Sequence, residues 1–165
     1  MAMEQMDALV ISGRLLLAAA LGMAIGIERT YRAKTAGVRT HFLVALGSAL
    51  FMVVSRYGFG GVGDPGRVAA QIVSGIGFLG AGTIIMQKHV IHGLTTAAGM
   101  WVAAGIGMAS AAGLYTIAVV ATLLALAGLE LFGRFNRFLR VRSEGRFAVR
   151  PGDLEQTDGQ ETDGI

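Results

Sequence analysis

The sequence predicts an all-α membrane protein, a polytopic bundle of five transmembrane helices. Three observations predict this fold class. Hydrophobic residues make up 53% of the 165 residues, and the mean hydropathy is +0.60. Charged residues make up only 15%, whereas a soluble domain carries about 25%. Five apolar stretches approach the length of about 20 residues that a helix needs to cross a bilayer.

The five predicted spans occupy residues 1–133, which form the predicted transmembrane domain. They cover residues 8–27, 41–57, 68–86, 94–112 and 114–133. The turn before the fifth span is so short that the last two spans should form an antiparallel hairpin. Residues 134–165 begin with six arginines and end with five acidic residues. We expect them to form an interfacial segment followed by a largely disordered cytoplasmic tail.

The distribution of basic residues predicts the orientation in the membrane. All but three of the 14 lysines and arginines lie after the first span, after the third span or at the start of the tail. The exceptions are Arg14, Arg56 and Arg67. Cytoplasmic loops carry an excess of Lys and Arg. The sequence therefore predicts an N-terminus outside and a C-terminus in the cytoplasm.

Glycine is unusually frequent, with 25 residues, and most of these glycines lie inside the predicted spans. Small residues let transmembrane helices approach closely and adhere. The alternative is a loosened helix whose carbonyl groups face a permeating ion. The residues that we assign to helix packing are Gly22, Gly26, Gly75, Gly77, Gly80, Gly82 and, well inside the fourth span, Trp101.

A polar face follows the start of the third span. Asp64, Arg67, Gln71 and Ser74 are spaced i, i+3, i+7 and i+10, which places them on one side of a helix. One interpretation is a helix N-cap at Asp64 with hydrogen bonds to neighbouring helices. The other is an outward-facing polar pocket, with Asp64 and Arg14 at its mouth, because ionisable groups inside a membrane are costly and are often functional.

A second polar group lies at the span ends on the predicted cytoplasmic side. Its members are Glu28, Arg39, Thr40, His41, Thr95 and Thr96. Glu28 closes the first span and Arg39 precedes the second, so we expect these two side chains to pair. The three histidines lack the spacing of metal ligands on one helix, and we expect no metal site.

Several functional classes have no support in the sequence. There is no cysteine, which excludes thiol nucleophiles and disulfides. The sequence has no phosphate-binding loop or catalytic triad, and it predicts no enzyme and no cofactor. The net charge of +3 fits basic loops beside anionic lipid, so we expect no nucleic-acid partner.

Six sequence runs resemble the MgtC/SapB family of bacterial membrane proteins. They are GIER (26–29), AGVRTH (36–41), ALGSALF (45–51), DPGR (64–67), QIVSGIGFLGAG (71–82) and GLTTAA (93–98), the last followed by Trp101. They occur in the family's order, over about residues 9–131. The chain departs from the family at Thr35, where proline is common, so the first cytoplasmic loop should be less rigid.

The resemblance implies a multi-pass inner-membrane protein of five helices with a cytoplasmic C-terminus. It also implies a link to low magnesium, acid tolerance and survival of pathogens inside host cells. Longer members add a soluble ACT-like domain, whereas this chain ends in a short tail. The positions that the resemblance marks as important are Glu28, Arg39, Thr40, His41, Asp64, Arg67, Gln71, Ser74, Thr95, Thr96 and Trp101.

Three functional hypotheses follow. The leading one is a non-enzymatic regulator in the inner membrane, acting through helix contacts with itself, as a homodimer, or with another membrane complex. The second is a small transporter or channel for Mg²⁺ or protons that uses the polar face of the third helix. The third is a purely structural dimer module, in which changes at Asp64 and Arg67 act only through folding.

Overall fold

The computed structural model of the chain describes residues 2–58, 64–87 and 90–144. Five helices and one hairpin make up this part. The helices are α1 (Ala2–Tyr31), α2 (Val38–Tyr57), α3 (Pro65–Ala81), α4 (Leu94–Ala111) and α5 (Tyr115–Glu144), and strands β1 (Ile85–Gln87) and β2 (Val90–His92) connect α3 to α4. Contacts divide the chain into two compact units, Met1–Ala127 and Gly128–Ile165.

The helix lengths support the predicted membrane bundle. Four segments are long and apolar enough to cross a membrane: Asp7–Tyr31, Val38–Tyr57, Leu94–Ala111 and Tyr115–Gly133. The remaining helix, α3, has 17 residues. It spans about 25 Å at 1.5 Å per residue. The last helix continues beyond the predicted span to Glu144, and the predicted disordered end of the tail, residues 145–165, lies outside the described residues.

The third helix ends five residues before the end of the predicted span, 68–86. Its last residue is Ala81, and the Thr83 hydroxyl donates a hydrogen bond to the carbonyl of Gly80 at 2.8 Å. Two glycines at this end weaken the helix, and the β-branched residues that follow favour a strand. The all-α prediction therefore missed a short connection that is not helical.

That connection is an antiparallel hairpin. Ile85 pairs with His92 and Met86 with Ile91. Gly93, which follows β2, has a φ of +92°, a conformation that glycine adopts without strain. A Cβ at Gly93 would also collide with the carbonyl oxygen of Thr83. This position therefore requires glycine for two reasons.

Helices α1, α2 and α4 pack on one another and form the core, and α3 packs on α4 and on α2. Many of the fully buried core residues are alanines, including Ala18, Ala45, Ala49, Ala103 and Ala104. Small side chains bring helix backbones close together, which increases van der Waals contact where lipid supplies no hydrophobic drive. The core is therefore held by close backbone packing.

The turn between α4 and α5 confirms the predicted tight connection. The amide of Leu114 donates to the carbonyl of Ala109 at 2.9 Å, and the amide of Gly113 donates to Ser110 at 3.1 Å. This is a Schellman motif, and Gly113 supplies its left-handed residue with a φ of +83°. Ile117 of α5 lines a cavity of about 260 Å³ together with residues of α4 and α3.

Candidate functional site

The last turn of α1 holds a buried ion pair. The side chain of Arg29 is only 4% exposed, and its Nε donates to Glu28 Oε2 at 2.5 Å. A second nitrogen of the same guanidinium donates to Glu28 Oε1 at 2.8 Å. Arg32 lies 3.7 Å from the same carboxylate. A buried charge is tolerated when it is paired and hydrogen-bonded in this way.

Next to this pair, His41 of α2 is completely buried. Its Nδ1 lies 3.0 Å from the carbonyl oxygen of Gly37, which places the ring proton on Nδ1 as the donor. The other ring nitrogen, Nε2, is buried and has no hydrogen-bond partner among the described residues. Glu28 and Arg29 are close enough to interact electrostatically with the ring. We call Glu28, Arg29, Arg32 and His41 the inner cluster, after the predicted topology.

The imidazole also fixes the contact between α2 and α4. A Cβ at Gly99 would lie 3.2 Å from His41 Nε2, so the glycine leaves room for the ring. Thr96, one turn earlier on α4, is buried, whereas Thr95 is exposed. The inner cluster thus contains residues from the end of α1 and the start of α2, and its histidine packs against α4.

The expected pair between Glu28 and Arg39 is wrong. The described ion pairs of Glu28 are with Arg29 and Arg32, on its own helix and just after it. Arg39 is exposed and Thr40 is half-buried. The physical reason is local: Arg29 is adjacent and Arg32 lies one turn away, so both reach the carboxylate within one segment of chain.

At the opposite end of the core, Arg14 connects three other helices. Its Nε donates to the Tyr115 hydroxyl at 3.0 Å and one terminal nitrogen donates to the carbonyl of Ala111 at 3.0 Å. The same nitrogen is 3.4 Å from the Tyr57 hydroxyl. Ala111 ends α4, where carbonyl groups lack helical partners and where a cation is favoured. We call Arg14, Tyr57 and Tyr115 the outer cluster.

The sequence groups Arg14 with the polar face of α3, and the described hydrogen bonds do not show this grouping. The described hydrogen bonds of Arg14 go to α2, α4 and α5, and none of them goes to the α3 residues. The sequence places Arg14 inside the first predicted span. It does not indicate that Arg14 contacts the two tyrosines or the end of α4. Those partners are distant in sequence and carry no local signal.

The polar face of α3 is exposed on the surface of the bundle. Asp64 is the N-cap, as the sequence predicted, and its carboxylate accepts from the amide of Gly66 at 2.8 Å. Arg67, Gln71 and Ser74 are exposed along the helix. Among the described residues, no hydrogen bond joins them to Arg14. Gln71 instead lies at the edge of a largely apolar groove of about 460 Å³ between α2 and α3.

Only part of the predicted glycine packing is found within the chain. A Cβ at Gly22 would lie 2.6 Å from Ala45 Cβ, and one at Gly26 would lie 2.6 Å from Val38 Cα. These two glycines form the contact of α1 with α2. Gly107, which is not among the individual packing positions assigned above, faces the carbonyl of Ala45 even more closely. It lies in a run of small residues whose register only the packed helices reveal.

The other predicted packing positions make little or no close contact with another helix of the chain. A Cβ at Gly75 or Gly77 would meet nothing within 4 Å, and one at Gly80 would make ordinary contact with Ala97. Gly82 is the C-cap of α3 and faces carbonyls of its own helix. Trp101 is 54% exposed, at the rim of the cavity that α3, α4 and α5 share. The packing prediction is therefore wrong for Gly75 and Gly77 within one chain, because no neighbouring helix lies against them. Gly75 instead lines the open groove between α2 and α3.

Fold and site together define a polytopic helical membrane protein with an arginine at each end of its core: Arg14 is bonded to three other helices, and Arg29 is paired with Glu28 of its own helix. Among the described residues, no three His, Asp or Glu side chains lie close enough together to hold a metal ion. Comparison with known proteins then gives the family. The sequence profile of the MgtC family matches residues 15–138, and the chain belongs to this family.

One of the curated relatives has a name that mentions magnesium. A stretch of 95 residues is 55% identical to "Putative magnesium transporter YhiD" of Escherichia coli K12, covering 53% of this chain and 44% of that protein. Protein MgtC of Salmonella typhimurium LT2 is 52% identical over 87 residues, covering 53% of this chain and 37% of that protein. Protein MgtC of Brucella abortus is 54% identical over 81 residues, with coverages of 49% and 34%.

The chain thus spans less than half the length of the curated relatives that it matches. No solved structure matches it. The family match and the apolar helices make it a membrane protein of the MgtC family.

Proposed function

We propose that this chain is a non-enzymatic regulatory protein of the bacterial inner membrane that acts under magnesium limitation or related stress. It acts through helix contacts, with a second copy of itself or with another membrane complex. Acid tolerance and virulence-type adaptation are the related stresses that the family resemblance adds. The N-terminus lies outside and the C-terminus lies in the cytoplasm, as the basic residues indicate.

One observation carries this proposal: an arginine is fixed at each end of the α1–α2–α4 core. Arg14 is bonded to the end of α4 and to the Tyr115 hydroxyl, and Arg29 is buried beside Glu28. The charge of Arg14 has no acidic partner among its described contacts. A fixed positive charge repels a divalent cation, so Arg14 disfavours the entry of Mg²⁺ into this core.

Helix packing supports the same proposal. Gly22 and Gly107 lie so close to the backbone of α2 that a single added carbon would collide with it. Mg²⁺ dehydrates reluctantly and keeps several of its waters in proteins. A hydrated ion is far larger than the space at these contacts. The core favours a role in positioning helices over a role as an ion path.

The alternative is a small Mg²⁺ or proton transporter, and the exposed face of α3 is the observation that favours it. Asp64, Gln71 and Ser74 place oxygen atoms along about 15 Å of that helix. A second element covering this face would enclose them. The printed name of the relative YhiD mentions magnesium transport. This name supports the transport hypothesis for the present chain.

The experiment that separates the two functions combines growth with flux. Cells that lack the corresponding gene would express the chain under magnesium limitation, and the purified protein would be reconstituted in vesicles containing Mg²⁺ and pH dyes. The regulator predicts restored growth without cation flux. Flux that disappears in Asp64→Asn, a variant that can still cap α3, would overturn the regulator and support the transporter.

The topology has a separate test. A reporter fused after Arg142 is expected to be active only as a cytoplasmic fusion. Activity of an export-dependent reporter at this position would overturn the proposed orientation.

A further inference from the structure

We propose that the outward face of α3 is the contact surface between two copies of this chain, which lie side by side in the membrane about a two-fold axis along the membrane normal. We define this surface, the α3 face, as Asp64, Arg67, Gln71 and Ser74. The inference deepens the proposed function and rests on it, because it names the surface through which a regulator that acts by helix contacts would meet its own copy.

The first argument is the cost of leaving this face in lipid. Arg67, Gln71 and Ser74 are exposed, although α3 packs against α4 and α2 and Gln71 also borders the groove beside α2. Ser74 lies about 15 Å along the helix from Asp64 at 1.5 Å per residue. Polar side chains at such depth are costly in lipid and normally face protein. A partner that supplies polar groups at matching depths removes this cost.

The second argument is charge complementarity, which selects a second copy as the partner. Two copies inserted in the same direction run their α3 helices in parallel, so Asp64 of each copy faces the other near the same level. Arg67 lies three residues deeper, about 4.5 Å. Helical side chains lean towards the N-terminus, which brings each Arg67 back to the level of Asp64 of the other copy. The two Asp64–Arg67 pairs between the copies then form at the same time, and each pair joins opposite charges.

Gln71 fits the same arrangement. It lies one turn deeper than Arg67 and is exposed. A carboxamide carries both donors and an acceptor, so two copies of Gln71 across a two-fold axis satisfy each other. The α3 face is therefore complementary to itself at successive depths.

Two glycines close to Ser74 on α3 permit the two α3 helices to approach each other closely. A Cβ added to Gly75 or Gly77 would meet nothing within 4 Å, and both glycines are exposed. Helices with small residues at their contact come closer than the 8–10 Å typical of larger side chains. At such a contact the two Ser74 residues lie near the axis.

Disulfide crosslinking tests the surface cleanly, because the chain has no cysteine. Ser74→Cys would be oxidised in native membranes, with Leu16→Cys and Leu124→Cys as controls at exposed positions on α1 and α5. A disulfide needs Cα atoms within about 7 Å. We expect a crosslinked dimer at position 74 in several-fold excess over both controls, unchanged when expression is lowered.

Equal yields at the three positions, or a yield at position 74 that falls with expression, would overturn the proposal. Both results would mean that lipid or a different membrane protein covers the α3 face. The crosslink does not depend on activity. If Ser74→Cys gives a dimer and the protein also conducts cations, only the proposed regulatory function is refuted. If there is neither a dimer nor cation flux, only the proposed α3 contact is refuted.

Charge reversal gives a second, independent readout. Arg67→Glu retains the Asp64 cap but places two acids opposite each other, and we expect it to lower the Ser74→Cys crosslink several-fold at equal protein level. Coexpression with an Asp64→Lys chain restores both opposite-charge pairs and should restore the mixed dimer. An unchanged crosslink in Arg67→Glu alone would contradict the charge pairing, whether or not Asp64→Lys folds.

Discussion

Replacement of Gly22 by alanine tests the close packing on which the core depends. The added Cβ would lie 2.6 Å from Ala45 Cβ and 2.6 Å from the His41 carbonyl oxygen. Unbonded carbon atoms sit about 3.5–4.0 Å apart, so α1 and α2 must separate by about 1 Å. Overpacking of this kind costs about 1–3 kcal/mol. The gain in helix propensity from glycine to alanine returns up to about 1 kcal/mol.

Gly13→Ala is the matched control on the same helix, because a Cβ at Gly13 would meet nothing within 4 Å. It gains the helix propensity without the collision. Thermal unfolding in mild detergent, followed by helical circular dichroism, should therefore show Gly22→Ala below the wild type and Gly13→Ala at or above it. The expected difference between the variants is about 1–3 kcal/mol, and each kcal/mol corresponds to about 2–4 °C for a chain of this size. Equal unfolding temperatures for the two variants would refute the close contact of α1 with α2.

Three further substitutions test local features. Glu28→Gln leaves the buried Arg29 without its counter-charge and should cost about 3–5 kcal/mol, whereas exposed Arg39→Gln should be near neutral; similar unfolding temperatures would show that the pair is not needed. Asp64→Ala should cost about 1 kcal/mol through loss of the cap and Asp64→Asn only a fraction of that, and equal losses on denaturant unfolding would contradict a capping role. Gly93→Ala should destabilise the start of α4 by more than 1 kcal/mol, because its φ is +92°, and unchanged amide exchange at residues 94–96 would contradict this.

Hydrophobic pattern predicted most of the fold. Four long apolar segments became helices, and the three-residue turn before α5 was short enough to force a hairpin. The end of α3 was mispredicted because residues 84–86 are apolar and extend the hydropathy signal past the last helical residue, Ala81. Hydropathy does not distinguish a helix from a strand. The glycines and β-branched residues at this point do, through backbone preference.

The candidate site was less accessible to sequence reasoning. The motif around Glu28 and His41 was found, but the burial of Arg29 was missed because arginine at a span end normally reaches water. The contact of His41 with Gly99 depends on the relative register of α2 and α4, which no local pattern encodes. The polar face of α3 was recognised from its helical spacing. Its exposure could be known only once the neighbours of α3 were placed.

Mg²⁺ flux through the purified protein decides between the proposed regulator and a transporter. The protein would be reconstituted at several copies per vesicle with a magnesium-sensitive dye inside, beside empty vesicles and vesicles containing Asp64→Asn. We predict the same Mg²⁺ entry in all three, because the charge of Arg14 and the close helix contacts of the core disfavour a cation path. Rapid entry with the wild type that is lost in Asp64→Asn would contradict the account and establish α3 as part of a transport path.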